Sequence, residues 1–538
     1  MTTSTAARTA SSAVLALLAS AQFLMTLDTS VMNVSIASVA SDLHTTTVGI
    51  QTAITLYTLV MASLMLTGGK IGAKIGRRRA FNLGLVIYAG GSLTTALAPN
   101  LAVLIIGWSI LEGIGAALIL PSIVALIAGN FGKERRSAAY GMIAAAGAVA
   151  VTIGPIVGGA VTTYGSWRYV FVGEVVVAAV ILLASRAIAE APVTATGRFD
   201  LLGAVLSALG LCGVVLGVLK SSTWGFVRPK PSGPSLLGLS PVVFLIAGGL
   251  VLLWLFVRHE RGLAARDREP LVTPGLARIP QVTSGLLGFM CQFFVQAGLF
   301  FVVPVYLSIV CGLSAFETGL RLIPLSISLL LAATLIPRLL PRASPRLIVQ
   351  CGFGLTFIGT VIFIAGLDPK SGPEIVGLPM FVIGLGIGAL ASQLGAVTVS
   401  GAPDELAGEV GGLQNTMTNL GASLGTALAG AILFSALASQ LLLGINASSD
   451  LSAELKQQAT VQISQGVAIV SDAELQKALS ASNLSSSEQA AIVSVNDAAR
   501  ATAMRDSMIA IAVVELGAIF LMRRFPKRAI GAPRAAEA

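Results

Sequence analysis

Residues 201–219 read LLGAVLSALGLCGVVLGVL, nineteen residues without a charge. As an α-helix, a run of about 20 such residues crosses the roughly 30 Å of hydrocarbon in a bilayer. Similar runs recur along almost the whole chain, in which 55% of the 538 residues are hydrophobic and 11% are charged. A water-soluble protein of this length would lack the polar surface to cover itself. Because helices satisfy their own backbone in lipid, the sequence predicts an all-α integral membrane protein.

The apolar runs predict about fourteen membrane spans. They begin near Val14, Thr47, Ala80, Leu101, Ser137, Trp167, Phe199, Pro241, Val282, Thr318, Leu347, Val376, Val410 and Ser507. Basic residues concentrate in alternate connections, for example at Lys70 to Arg79 and at Arg258 to Arg268. Since short cytoplasmic loops carry an excess of Lys and Arg, this pattern and an even number of spans place both termini in the cytoplasm.

A weak internal repeat predicts how the spans are grouped. GKIGAKIGRRR (69–79) follows span 2, and PRLLPRASPR (337–346) follows span 10. This spacing predicts two pseudo-symmetric six-helix bundles, residues 1–190 and 271–522, with spans 7 and 8 inserted between them in 191–270. Residues 523–538 form a cytoplasmic tail, and the polar segment 445–505 lies outside the membrane, either as a structured cap or as a loop.

Several functional classes fit the sequence poorly. The net charge of +9 comes from short basic clusters between apolar runs, which indicates topology signals rather than a nucleic-acid surface. An ATP-driven pump would need a phosphate-binding GxxxxGK[ST] loop, which is lacking. With two histidines and no cysteine pair at metal-ligand spacing, neither an enzyme nor a metal site is expected. A channel is possible physically, but no filter-like segment occurs.

The chain contains three motifs, one in span 1, one in the turn after span 2 and one in span 5. Span 1 contains LDTSVMNVSIASVA (27–40), and span 5 contains GPIVGG, with Gly154, Pro155, Gly158 and Gly159. The turn after span 2 contains Gly69, Gly72, Gly76, Arg77 and Arg78. Over nearly its whole length the chain resembles the major facilitator superfamily, and most closely its fourteen-span drug:proton antiporter branch.

The resemblance implies a secondary exporter that works by alternating access and confers drug resistance. It would exchange protons for small amphipathic molecules, with cationic drugs as one option, and a proton gradient without any cofactor would drive it. A dedicated exporter of an endogenous lipid, siderophore or metabolite shares the same scaffold and stays open. The chain is expected to act as a monomer among the lipids of a bacterial inner (plasma) membrane.

The chain also departs from the family motifs. Ala73 stands where the loop motif has an aspartate, so the charge interaction that latches the inward gate in the family cannot form there. Ser109 and Glu112 stand where span 4 of the family has Arg and Gln, and Glu174 replaces a usual Asn. Two of these departures add carboxyl groups to the interior of the membrane domain.

Four carboxyl groups fall within apolar spans: Asp28, Glu112, Glu174 and Glu515. A charge in the middle of the bilayer costs about 2.5 kcal/mol or more, so each is a candidate for function. Low dielectric favours the neutral carboxyl, which can then take a proton from one side and release it to the other. We predict that these residues couple proton movement to export. The structural alternative is that one of them, such as Glu112 beside Ser109, only fixes helix packing.

Polar and aromatic side chains at similar depth predict a substrate cavity. The candidates are Gln51, Phe289, Gln292, Phe293, Gln296, Asn415 and Asn419. An amide in a span can equally bridge two helices, and an aromatic patch can equally be core or lipid-facing. Both alternatives remain open from the sequence.

Overall fold

The apolar runs form long helices in the computed structural model. It describes residues 2–131, 133–190, 199–230, 233–266, 268, 270–340, 342–369, 371–402, 406–465, 469–482 and 484–527. Residues 191–198 of the predicted insertion and 528–538 of the predicted tail lie outside the described residues.

The helices are numbered in chain order. They are α1 (Thr2–Asp42), α2 (Thr47–Ile75), α3 (Arg77–Ala96), α4 (Leu101–Leu104), α5 (Gly113–Asn130), α6 (Lys133–Tyr164), α7 (Arg168–Ala184), α8 (Leu201–Trp224), α9 (Pro241–Ala264), α10 (Pro280–Val305), α11 (Ala315–Arg321), α12 (Ile323–Leu339), α13 (Pro345–Gly366), α14 (Gly377–Ser400), α15 (Ala407–Ala447), α16 (Ala453–Gln465), α17 (Asp472–Ser480) and α18 (Ser486–Leu521). A π-helix, Ile105–Glu112, joins α4 to α5, and a second one, Tyr306–Val310, follows α10.

Helices occur at the predicted span positions. Among the described residues, ten helical stretches are long and apolar enough to cross a membrane, and the pair α11–α12, bent by 41°, makes eleven. The remaining helices at predicted positions are α3, α6 and α18. The all-helical membrane fold is therefore confirmed, whereas the exact limits of the predicted domains stay a prediction.

The polar segment before the last span is structured. It contains α16 and α17, and α18 already begins at Ser486, well before the predicted start of the span at Ser507. A capping box between Ser485 and Glu488 starts α18, because each residue's side chain bonds the other's backbone N–H. The buried Arg500 forms ion pairs with Asp472 and Asp497, which ties α17 to α18. The described part of the segment is thus helical and not an irregular loop, whereas its place outside the membrane stays a prediction.

Two sets of helices meet along a seam that crosses the middle of the molecule. Helices α1, α2 and α6 of the first half contact α10, α11, α12 and α15 of the second. Gln51 on α2 donates hydrogen bonds to the carbonyl oxygens of Thr426 (3.0 Å) and Ala427 (3.3 Å) on α15. Ser423 on α15 donates to the carbonyl oxygen of Thr55 in return (3.0 Å).

The inserted helices α8 and α9 pack on the outside of this seam. Helix α8 contacts both α2 and α15, and α9 packs mainly on α8. Leu211 and Val215 of α8 are buried against Leu59 of α2, beside Leu420 of α15. Helix α8 therefore covers one side of the line along which the two halves meet.

The glycines of span 5 allow close helix approach at one end of the seam. A Cβ on Gly159 of α6 would lie 2.4 Å from the carbonyl oxygen of Ala315 on α11. A Cβ on Gly319 of α11 would lie 2.2 Å from the carbonyl oxygen of Pro155. Both contacts exclude any side chain, so α6 and α11 meet backbone against backbone.

Candidate functional site: a buried carboxyl cluster

The first three predicted coupling residues converge. Asp28 lies on α1, Glu112 ends the first π-helix and Glu174 lies on α7. All three are at least 98% buried, and one carboxyl oxygen of each lies within 4.8 Å of the others. None of the ion pairs among the described residues involves them. Three acidic groups thus share one point of the membrane domain without a basic partner.

Trp108 holds the carboxyl group of Asp28. Its indole N–H lies 2.9 Å from Oδ1 and 3.1 Å from Oδ2 of Asp28. Tyr57 of α2 stacks on the Trp108 ring, with ring centroids 4.9 Å apart and an interplanar angle of 6°. The indole is therefore fixed in position, and its hydrogen bond favours Asp28 as an acceptor.

Helix α3 supplies hydroxyl groups to the two glutamates. Tyr88 and Ser92 donate to Oε2 of Glu174 (3.0 and 3.2 Å). Thr95 donates to Oε1 of Glu112 (3.2 Å). The structure does not contain the alternative pairing of Glu112 with Ser109, because the Ser109 hydroxyl donates to the carbonyl oxygen of Ala53 instead (2.8 Å).

The first π-helix brings Trp108 and Glu112 to the cluster. The segment IIGWSILE (105–112) interrupts the α-helical hydrogen bonding of span 4, and its residues Trp108, Ser109 and Glu112 are fully buried. A π-helical segment is rare and occurs often at functional sites. Here it presents an indole and a carboxyl group, one turn apart, to the side chains of α1 and α3.

Some polar atoms of the cluster lack a partner. Oε2 of Glu112 and Oε1 of Glu174 are buried without a hydrogen bond among the described residues. Buried polar groups are nearly always hydrogen-bonded. These two carboxyl oxygens are therefore the atoms at which a proton can be taken up.

Glu515, the fourth predicted coupling residue, lies elsewhere. It is buried on α18 in the second half, where its Oε1 accepts a hydrogen bond from Thr360 of α13 (3.1 Å). It is not part of the three-acid cluster, which consists of Asp28, Glu112 and Glu174. A role for Glu515 in coupling stays a prediction.

The predicted cavity residues differ in how their side chains are held. Gln51 bridges α2 to α15, as described above, and Asn419 donates to the carbonyl oxygen of Asn415 on its own helix (2.8 Å). Gln292 is buried, and its Oε1 has no partner among the described residues. The rings of Phe289 and Phe293 stack 6.5 Å apart, and these two residues are half-buried, as are Gln296 and Asn415.

A small void lies between the halves, away from these candidates. It measures about 10 Å³ and is lined by residues of α1, α6, α10 and α12, among them Ser30, Asn33, Phe300 and Ser326. It adjoins the close contact of α6 with α11, since Pro155 also lines it. None of the predicted cavity residues lines this void.

The loop motif after span 2 holds the end of the first half together. Gly76 has φ = +104°, a conformation that disfavours other residues, and a Cβ there would lie 2.9 Å from the carboxylate of Glu190. The backbone N–H of Arg78 donates to Glu190 (2.9 Å), and Arg77 donates to the carbonyl oxygen of Gly69 (2.7 Å). With Ala73 in the position of the motif aspartate, Glu190 supplies the carboxylate at this turn.

The residues that surround the acids were not predicted from the sequence. They are Tyr57, Tyr88, Ser92, Thr95 and Trp108. One signal was available, because Tyr88, Ser92 and Thr95 are spaced by four and three residues and form one polar stripe on α3. For Tyr57 and Trp108 the sequence holds no comparable signal, since aromatic residues are common in apolar spans.

Comparison with known proteins agrees with this architecture. Residues 18–426 match the family model described as Major Facilitator Superfamily. The chain is 28% identical over 410 residues to the "Tetracenomycin C resistance and export protein" of Streptomyces glaucescens, which covers 75% of this chain and 72% of that protein. It is 31% identical over 426 residues to the "Puromycin resistance protein pur8" of Streptomyces alboniger, which covers 77% and 80%. A "Cephamycin export protein CmcT" of Amycolatopsis lactamdurans is also 31% identical, over 77% of this chain and 83% of that protein.

Solved structures show the same fold. A bacterial homologue of the human lysosomal transporter Spinster, in an inward-facing and unoccupied conformation, superposes with a TM-score of 0.59 at 14% identity, covering 97% of this chain and 99% of that one. An auto-inhibited peptide transporter of the POT family gives a TM-score of 0.58 at 13% identity, with the same coverage. The resemblance seen in the sequence motifs is confirmed, and the chain, a multi-pass membrane protein and not an enzyme, belongs to the Major Facilitator Superfamily of transporters.

Proposed function

We propose that this chain is a proton-driven secondary exporter of small amphipathic compounds, including drugs. The relatives' names describe export of, or resistance to, individual antibiotics, which supports export as the direction of transport. The three-acid cluster carries the proposal of proton coupling. In this proposal the chain acts as a monomer in a bacterial plasma membrane, with both termini in the cytoplasm.

The cluster favours protons because its three acids cannot all be ionised together. Like charges at this separation in a low-dielectric interior repel strongly, and each carboxyl that takes a proton relieves the repulsion. Four neutral donors, Trp108, Tyr88, Ser92 and Thr95, hold the carboxyl groups in place without neutralising them. Protons are thus the simplest way to neutralise the negative charge of the three carboxyl groups.

Coupling to cargo would act through helix packing. The cluster lies inside the first half, where Trp108, Tyr57 and Tyr88 are among the fully buried side chains. The helices that carry it also reach the seam, since α1 contacts α10 and α11 while α2 contacts α15. A change of protonation can therefore alter how α1 and α2 meet the second half, without direct contact between cargo and carboxylate.

The experiment uses inverted membrane vesicles, with ethidium as the cargo probe and an imposed proton gradient. We expect Asp28→Asn, Glu112→Gln and Glu174→Gln each to reduce the gradient-driven ethidium flux by at least about tenfold, or about 1.4 kcal/mol. Glu454→Gln, at an exposed position on α16, is the matched control and should transport normally. Full transport by all three variants, or transport that survives collapse of the gradient, would contradict the proposal.

A dedicated exporter of one endogenous compound is the second candidate. The names of two relatives each specify a single cargo, tetracenomycin C or cephamycin, which favours this option. A panel of unrelated toxic cations and neutral antibiotics, tested for resistance in a strain without other exporters, separates the two. Resistance to several chemical classes indicates a multidrug exporter, and resistance to none of them indicates a dedicated one.

A further inference from the structure

The inserted helices α8 and α9 pack as one unit, the inserted hairpin. A Cβ on Gly213 of α8 would lie 2.8 Å from the carbonyl oxygen of Leu245 on α9. A Cβ on Gly249 of α9 would lie 2.7 Å from the carbonyl oxygen of Gly210 on α8. The two backbones are thus in direct contact, as small residues allow in membrane helices. The inserted hairpin can therefore move as a single body.

The end of α9 is bonded to α8 and to the segment that follows it. Nε2 of His259 lies 2.9 Å from Oδ1 of Asp200, the residue that caps the start of α8. Glu260 is 3% exposed, and its Oε2 accepts a hydrogen bond from the backbone N–H of Val272 (3.0 Å). The segment after α9 is therefore fixed to the inserted hairpin.

The next residue of this segment is bonded to the second half. Glu409, in the first turn of α15, accepts hydrogen bonds from the backbone N–H of Thr273 and from its hydroxyl, the latter at 2.9 Å. The adjacent backbone N–H groups of Val272 and Thr273 thus bind carboxyl groups of two different helices, α9 and α15. Leu276, 1% exposed, packs in one cluster with Val410 of α15. This segment therefore fastens the inserted hairpin to the second half.

The inserted hairpin meets the first half in a different way. Leu211 and Val215 of α8 pack on Leu59 of α2, and Oγ of Ser63 on α2 lies 4.0 Å from Sγ of Cys212, a long contact. Van der Waals contact between apolar side chains has no preferred direction, whereas hydrogen bonds weaken steeply when they are bent. A small shift of α8 along α2 therefore costs less than a shift that breaks the bonds to α15.

We propose that Thr273 and Glu409 are positioning residues that make the inserted hairpin move together with the second half. During export, α8 slides over α2 and keeps its place on α15. The insertion thereby keeps one side of the seam covered while the halves move. This inference rests on the alternating access of the proposed exporter and on no particular driving ion.

Distances between spin labels on the full-length protein in nanodiscs test the shared movement. Lys74→Cys on α2, Gly262→Cys on α9 and Leu339→Cys on α12 are at exposed positions and are combined in pairs, in a chain whose four native cysteines are replaced. Gly159→Leu, which forces α6 away from α11, supplies a second arrangement of the halves. On this change we expect the distances from position 74 to positions 262 and 339 to shift, and the distance between 262 and 339 to stay constant.

Variants of the two positioning residues test the bond itself. Glu409→Ala removes the acceptor of both hydrogen bonds, and Thr273→Val removes the hydroxyl donor. We expect each to broaden the distance distribution between positions 262 and 339 and to lower the maximal ethidium flux severalfold. The half-saturating ethidium concentration should stay unchanged, because the bond acts on movement and not on cargo. Thr273→Ser keeps the hydroxyl and should restore both readouts, and Glu454→Ala, at an exposed position of α16, is the matched control.

Several results would overturn the proposal. The distance between positions 262 and 339 may change as much as that between 74 and 339, or all three distances may stay fixed. A fixed distance between 74 and 262 alone would assign the inserted hairpin to the first half. A distribution that Glu409→Ala and the milder Thr273→Val both leave unchanged would show that the bond holds nothing. Failure of the proposed function is distinct, because ethidium flux that survives collapse of the proton gradient refutes proton-driven export and leaves these distances as expected.

Discussion

Trp108 positions Asp28 through its indole N–H. The ring of Tyr57 stacks on Trp108 and holds the indole in place. We expect Trp108→Phe to keep the aromatic contact and to remove the donor to Asp28, which leaves a buried carboxyl without its strongest partner. A hydrogen bond to a neutral buried group contributes about 0.5–1.5 kcal/mol. A double-mutant cycle of Trp108→Phe with Asp28→Asn, measured by unfolding in detergent, should therefore show a coupling of about that size. Trp254→Phe, at an exposed residue of α9, should show none with Asp28→Asn. Additive effects of Trp108→Phe and Asp28→Asn would mean that the hydrogen bond contributes nothing.

At the scale of elements, the contact between α6 and α11 determines whether one end of the seam can close. Gly159→Leu places a side chain where the carbonyl oxygen of Ala315 lies, so we expect that end to stay open and export to be lost. Ser326→Cys, beside the small void, should then react faster with a membrane-impermeant maleimide. Gly173→Leu on α7 is the matched control, because a Cβ there meets nothing within 4 Å. Unchanged labelling of Ser326→Cys in the Gly159→Leu protein would show that this contact does not limit access.

At the scale of the whole molecule, the distribution of basic residues predicts the orientation. We expect a reporter fused after Ala538 to be active only in the cytoplasm. A cysteine at the exposed Glu454, introduced into a chain without its four native cysteines, should react from outside the cell. These two measurements check the same topology from opposite faces. Cytoplasmic labelling of the cysteine at 454 would reverse the assignment.

The sequence was sufficient to predict the helical membrane fold and the family. Both follow from the length of apolar runs and from motifs that are local in the chain. It also marks Asp28, Glu112 and Glu174 as candidates, because a carboxyl group in an apolar segment is costly, and their role in coupling stays a prediction. Their convergence depends on the packing of α1, α7 and the π-helix, and no local pattern encodes it. The π-helix itself was not predicted, since its residues fit an ordinary apolar α-helix.

The sequence leaves two roles open for the polar residues of the spans. An amide such as Gln51 has the same signal whether it faces a cavity or spans two helices, and the structure shows it bonded across the seam. From its spacing, Ser109 is a possible partner of Glu112, but in the structure its hydroxyl donates to the backbone of α2. Which side of a helix a polar residue occupies was therefore harder to predict than its depth.

The backbone contact at Gly159 and Gly319 constrains how the transporter can open. Where two helices touch through side chains, a passage can widen gradually as rotamers change. At Gly159 and Gly319 no side chain stands between the α6 and α11 backbones, and the rings of Tyr164 and Phe316 pack beside this contact. Opening at these two positions would therefore require α6 and α11 to move apart as rigid helices, because there is no side chain there to rotate away.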